Sequence, residues 1–70
     1  SSELAERDRT LRAVAALPPQ RRAVVVLRFY DDLSEAGIAE VLGIGLGTVK
    51  STLSRAVEQL RTALEAQEGP

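Results

Sequence analysis

Residues 34–60 read SEAGIAEVLGIGLGTVKSTLSRAVEQL, two helical patterns joined by a glycine turn. Ser34 is a strong helix N-cap, and Glu35 behind it suits the positive end of a helix dipole. Ile38, Ala39, Val41 and Leu42 give the short helix predicted over residues 35–42 its apolar side. Gly37 within that helix costs up to about 1 kcal/mol relative to alanine. Gly43 fits the left-handed residue that closes a helix. Beyond the tight connection Gly43-Ile44-Gly45, the apolar residues Val49, Leu53, Ala56, Val57, Leu60 and Leu64 recur at steps of four, three, one, three and four. That period predicts an amphipathic helix over residues 46–66. A short helix, a glycine turn and a longer amphipathic helix make a helix-turn-helix. Small Ala39 allows close approach, and Val49 and Leu53 pin the second helix on the first.

Two further helices precede this hairpin. Over residues 3–16, Leu4, Leu11, Val14 and Ala15 fall on one stripe, with Arg7, Asp8, Arg9 and Arg12 mostly opposite. Pro18-Pro19 ends that helix, and Pro19 opens the next near its first position, where a missing N–H costs nothing. The second helix is predicted over residues 19–30. Val24-Val25-Val26 alone favours a strand, but no other segment could pair with it, so helix is the consistent reading. The apolar run from Ala23 to Leu27 covers more than one helical face. Either the bundle covers both sides, or part of the run meets a partner. Asp31-Asp32 marks a turn. The expected fold is all-α: one domain over residues 1–70, a bundle of about four helices containing a helix-turn-helix, of the winged-helix-like type but without a sheet. Val49, Leu53, Leu27, Ile38 and Leu42 are expected among the most buried residues, and residues 67–70 should fray.

Composition narrows the function. The chain has 70 residues, 44% hydrophobic, with Phe29 and Tyr30 its only aromatic residues and no cysteine, histidine, methionine or tryptophan. A domain this small buries only about 60% of its unfolded surface, so its aliphatic core must be thin. Without cysteine there is no disulfide framework, thiol chemistry or cysteine-based zinc site. Without histidine the commonest metal ligand and general base are missing. No acid–base pair sits at a spacing that would converge on a pocket. The expectation is a protein that is not an enzyme and has no catalytic residues, cofactor or metal. No apolar stretch approaches the roughly 18–20 residues that span a bilayer, and no signal peptide opens the chain, so a cytoplasmic location is expected. Ser1 is not an initiator methionine, which suggests a domain excised from a longer protein.

The net charge of −1 and a pI near 5.3 argue weakly against nucleic acid. The distribution of charge argues the other way. Residues 17–30 carry Arg21, Arg22 and Arg28 and no acid; residues 31–42 carry Asp31, Asp32, Glu35 and Glu40 and no base. The outward face of the last helix begins Gly47, Thr48, Lys50, Ser51, Thr52, Ser54 and Arg55, with no Asp or Glu over residues 46–57. Small, polar and basic side chains at a helix start suit a helix entering the major groove: close approach, a positive dipole for phosphates and donors for base edges. The same pattern would serve as a solvated polar face; the hairpin before it favours DNA. Few cations face the duplex, so binding by this chain alone should be weak.

The segment LPPQRRAVVVLRFYDDLSEAGIAEVLGIGLGTVKSTLSRAVEQLR, residues 17–61, resembles the C-terminal promoter-reading domain of bacterial RNA polymerase sigma factors of the extracytoplasmic-function (ECF) type. The resemblance rests on Leu-Pro-Pro before an arginine-containing apolar helix, on Asp-Leu-Ser followed by Ile-Ala-Glu-Val-Leu-Gly, and above all on Gly-Thr-Val-Lys-Ser-x-Leu-Ser-Arg-Ala at residues 47–56. It implies double-stranded promoter DNA as partner, read at the −35 element, together with the β flap of the RNA polymerase core and, in many members, an anti-sigma factor. The part that melts the −10 element would lie before Ser1. Lys50, Ser51, Ser54 and Arg55 would face DNA beside Thr48, with Arg21, Arg22 and the helix start at Ser34 as phosphate contacts. Three positions depart from the family pattern. Gly45 replaces the usual serine or proline cap. Gly37 replaces a polar helix former. Thr52 stands where arginine is common, beside the apolar stripe, so that arginine there should be tolerated and add a backbone contact. Two other readings share features: the DNA-binding domain of LuxR-type response regulators, which also carries Ile-Ala-Glu and Thr-Val-Lys at this spacing, and a module acting through protein contacts on its apolar surface.

Overall fold

The computed structural model describes residues 2–67. Four helices follow one another: α1 over Ser2–Ala15, α2 over Pro19–Val25, α3 over Glu35–Leu42 and α4 over Leu46–Gln67. Among the described residues there is no strand, and the valine run is helical. The expected fraying of residues 67–70 concerns residues outside this description, apart from Gln67, which ends α4.

The helix predicted over residues 19–30 changes its winding midway. It is α-helical only to Val25, and Val26–Tyr30 forms a π-helical turn. The Asp31 N–H donates to the Val26 carbonyl at 3.0 Å and the Leu33 N–H to the Leu27 carbonyl at 2.9 Å, reaching five and six residues back. This wider turn keeps Leu27 against the core and leaves Phe29 and Tyr30 exposed. Asp32, at φ 58°, then turns the chain. Aspartate is among the few residues other than glycine that adopt this left-handed conformation readily.

The caps lie where the sequence places them. The Ser34 hydroxyl accepts from the Gly37 N–H at 3.0 Å, and Gly43 closes α3 at φ 67°. The Ile44 N–H returns to the Ala39 carbonyl at 3.1 Å, and the Val49 N–H donates to the Gly45 carbonyl at 3.0 Å, which makes Gly45 the N-cap residue of α4. At the other end of the molecule, the Arg22 guanidinium donates to the Ala15 carbonyl at 3.1 Å, supplying a donor at the C-terminus of α1.

Helix α4, about 33 Å long at 1.5 Å per residue, is the spine on which the other three pack. One cluster joins α1, α2 and α4 through Val14, Leu17, Val25 and Ala56, with Val26, Leu53 and Leu60 against it. A second joins α2, α3 and α4 through Val24, Ile38 and Val49, with Leu27, Leu33, Ala39, Leu42, Ile44 and Leu53 around it. Leu53 belongs to both. Ile38 and Val49 are fully enclosed, as expected, whereas Leu27, Leu42 and Leu53 are only partly buried. Val24, Val25 and Ala56 hold the centre instead. In so thin a core, short side chains close to the helix axes meet at the middle, and longer leucines reach toward the rim.

Candidate nucleic-acid interface

Helix α3, the connection Gly43-Ile44-Gly45 and the start of α4 form the helix-turn-helix. Val49 and Ile38, both fully buried, lock α4 onto α3. With Val49 facing inward, the 3.6-residue period turns Gly47, Thr48, Lys50, Ser51, Ser54 and Arg55 outward, and all six are exposed. Leu46 is also exposed at the first position. A Cβ at Gly47 would meet nothing within 4 Å, so this turn of the helix presents an open, low-relief surface.

Each predicted site residue has a definite setting. The Lys50 ammonium lies 3.0 Å from a Glu35 carboxylate oxygen, pairing the start of α4 with the first turn of α3. The Ser51 hydroxyl donates to the Thr48 carbonyl at 3.2 Å, leaving its oxygen lone pairs outward for a donor. Ser54 is exposed, and Arg55 is exposed with no ion pair or hydrogen bond among the described residues. Ser34 caps α3, so its hydroxyl already accepts one hydrogen bond.

Two of the arginines have structural occupations. Half-buried Arg21 donates to the Gln59 side-chain oxygen at 2.6 Å, tying α2 to α4. Arg22 is the donor at the end of α1. Arg21 and Arg55 together line an open concavity of about 540 Å³ beside α4, with Glu58, Gln59, Thr62 and Ala63.

Thr52 requires a correction. It is only 9% exposed and lies among the buried residues, not on the outward face. It stands three residues after Val49 and four before Ala56, both fully buried, so it shares their stripe. The spacing carries that placement, although Thr52 continues the polar run Lys50-Ser51-Thr52. The arrangement therefore presents a face without acids, from Thr48 to Arg55, whose only carboxylate neighbour by ion pairing among the described residues is Glu35 on α3. Among the described residues no group of three or more acidic, histidine or cysteine side chains could hold a metal, and no helix is long and apolar enough to cross a membrane.

Comparison with known proteins gives this geometry a family. The model of the family described as Sigma-70, region 4 matches residues 3–60. A Streptomyces antibioticus protein named RNA polymerase sigma-E factor is 44% identical over 64 residues, covering 91% of this chain and 36% of that protein. The Bacillus subtilis protein named ECF RNA polymerase sigma factor SigW is 43% identical over 51 residues, 73% of this chain and 27% of its own length. The Cereibacter sphaeroides protein named ECF RNA polymerase sigma factor RpoE is 39% identical over 56 residues, 80% and 31% respectively. The chain thus spans about a third of the curated relatives it matches. With a family match over most of its residues and a helix-turn-helix at the matching place, the chain belongs to the Sigma-70, region 4 family.

Proposed function

We propose that this chain reads the −35 element of promoter DNA as the C-terminal domain of an alternative sigma factor of the ECF type, directing RNA polymerase to initiate transcription. The start of α4 enters the major groove. Ser51, Ser54 and Thr48 address base edges, and Arg55 and Lys50 contribute charge toward bases or phosphates. Ser34, at the start of α3, lies where the first helix of such a motif crosses the backbone. Arg21 and Arg22 each hold a partner through one guanidinium nitrogen and keep further donors for phosphate, and Thr52 supports the helix from within. The observation that carries this reading is the exposed, acid-free face from Thr48 to Arg55, presented clear of the core.

The same role implies docking on the polymerase β flap, masking by an anti-sigma factor in those systems that use one, and a cytoplasmic location. Exposed Phe29 and Tyr30, side by side at the end of the π-helical turn, offer apolar area for such a protein contact. Flap binding that survives Lys50→Ala and Arg55→Ala would separate the protein-docking role from the DNA-reading one.

Selection from a pool of randomised duplexes tests the proposal. The chain should enrich one short motif, bind it above random duplex, and lose overall affinity on Arg55→Ala. Ser51→Ala should shift the preference among sequences more than the overall affinity, because base contacts specify while phosphate contacts position. Enrichment of no motif, with the variants' helicity intact, contradicts it.

A further inference from the structure

Of the two acids of α3, Glu35 and Glu40, Glu35 is the one paired with a cation of α4. It stands in the first turn of α3, and its carboxylate reaches across to the Lys50 ammonium at 3.0 Å. Lys50 is the first cation of α4 and Arg55 the second; no other lies before Arg61. One of the two cations on the reading face is therefore neutralised by the chain itself. Lys50 is exposed and Glu35 half-buried, so the pair can open, and its strength is close to that of a surface ion pair. Helix α3 also begins where the first helix of such a motif meets the DNA backbone, so Glu35 is an acid placed at the edge of a phosphate-facing surface.

We propose that Glu35 is a specificity-setting residue that acts through Lys50: it holds the ammonium against α3 and releases it only when a duplex offers a better acceptor. This rests on the DNA reading of the same face. A phosphate on arbitrary sequence must then displace Glu35 to gain the lysine, which lowers non-specific affinity. A guanine placed beneath Lys50, offering its O6 and N7 acceptors, competes more effectively. The consequence is a shallower salt dependence than the cation count suggests, since a lysine already paired releases fewer counterions when DNA arrives.

Two substitutions separate the ion pair from charge alone. Glu35→Gln removes both the charge and the pair. Glu35→Asp keeps the charge but shortens the reach by one methylene, withdrawing the carboxylate from the ammonium while leaving an acid at the helix start. The wild-type chain and both variants are titrated with random-sequence duplex and with the duplex selected above, across a salt series. The Lys50 ammonium is followed by NMR in the free chains. Both variants should lose the ammonium's protection in the free state and bind random duplex about two- to fivefold more tightly at low salt. Their salt slopes should steepen by up to about 0.9 per log unit, and their preference for the selected sequence should shrink. If Glu35→Asp loses the ammonium's protection yet binds as wild type while Glu35→Gln binds more tightly, charge alone acts and the pair does not, which overturns the inference. Unchanged affinity and slope in both variants overturns it as well, with the DNA reading intact. If no chain binds any duplex, the DNA reading falls and this inference falls with it.

Discussion

Thr52 shows how much a single position on an amphipathic helix can decide. Its polar neighbours Ser51 and Ser54 are exposed, yet Thr52 is enclosed between the turns bearing Val49 and Ala56. An arginine at this position would drive a long cation into the core. Thr52→Arg should therefore destabilise by about 1–3 kcal/mol from overpacking alone, read as a lower urea midpoint; an unchanged midpoint would place the residue outside the core. Gly43 makes the converse case. Its φ of 67° is one that alanine adopts only at a cost of roughly 1–2 kcal/mol, although a Cβ there meets nothing within 4 Å. Gly43→Ala should lower the melting temperature through backbone strain, and Gly43→Asn should recover part of the loss. Identical melting of both variants and the parent would exclude strain at this turn. The conformation of Gly43 was legible from sequence because a cap is a local event. The burial of Thr52 is harder to read, because a polar side chain takes a place in the stripe between Val49 and Ala56. The Lys50–Glu35 pair lay beyond a reading by segments, since it joins side chains 15 positions apart and depends on how α3 crosses α4.

At the scale of elements, α4 starts without a side-chain cap because Gly45 has none to offer. A Cβ at Gly45 would meet only the Thr48 hydroxyl, at an ordinary 3.9 Å. Gly45→Ser should therefore be accommodated and stabilise the start of α4 by a few tenths of a kcal/mol. Slower amide exchange over the first turn of α4 would report that gain, and faster exchange would show that the serine cannot adopt the cap. The helix boundaries of α3 and α4 follow from caps and periodicity, and the structure places them within a residue of the sequence reading. The π-helical turn was not legible in the same way. Its five- and six-residue hydrogen bonds close around the Asp32 turn, so the winding of Val26–Tyr30 is fixed together with the entry into α3.

The whole molecule is held by two small clusters that meet at one side chain. Leu53 packs against both the α1–α2–α4 core and the α2–α3–α4 core, although it is not itself fully buried. Leu53→Ala should cost about 2–5 kcal/mol, against a total of roughly 4–10 kcal/mol for a chain of this length. The variant should be largely unfolded at physiological temperature by circular dichroism; parent-like melting would mean that the clusters are independent. The start of α4, locked on α3 by Val49 and Ile38, is the surface proposed to meet DNA. An amide and side-chain NMR titration of the chain with its selected duplex tests this most directly. The largest shifts are expected at Thr48, Lys50, Ser51, Ser54 and Arg55, with a second set at Ser34 and Glu35. Shifts confined to α1 and the far half of α4, with the start of α4 unmoved, would contradict it.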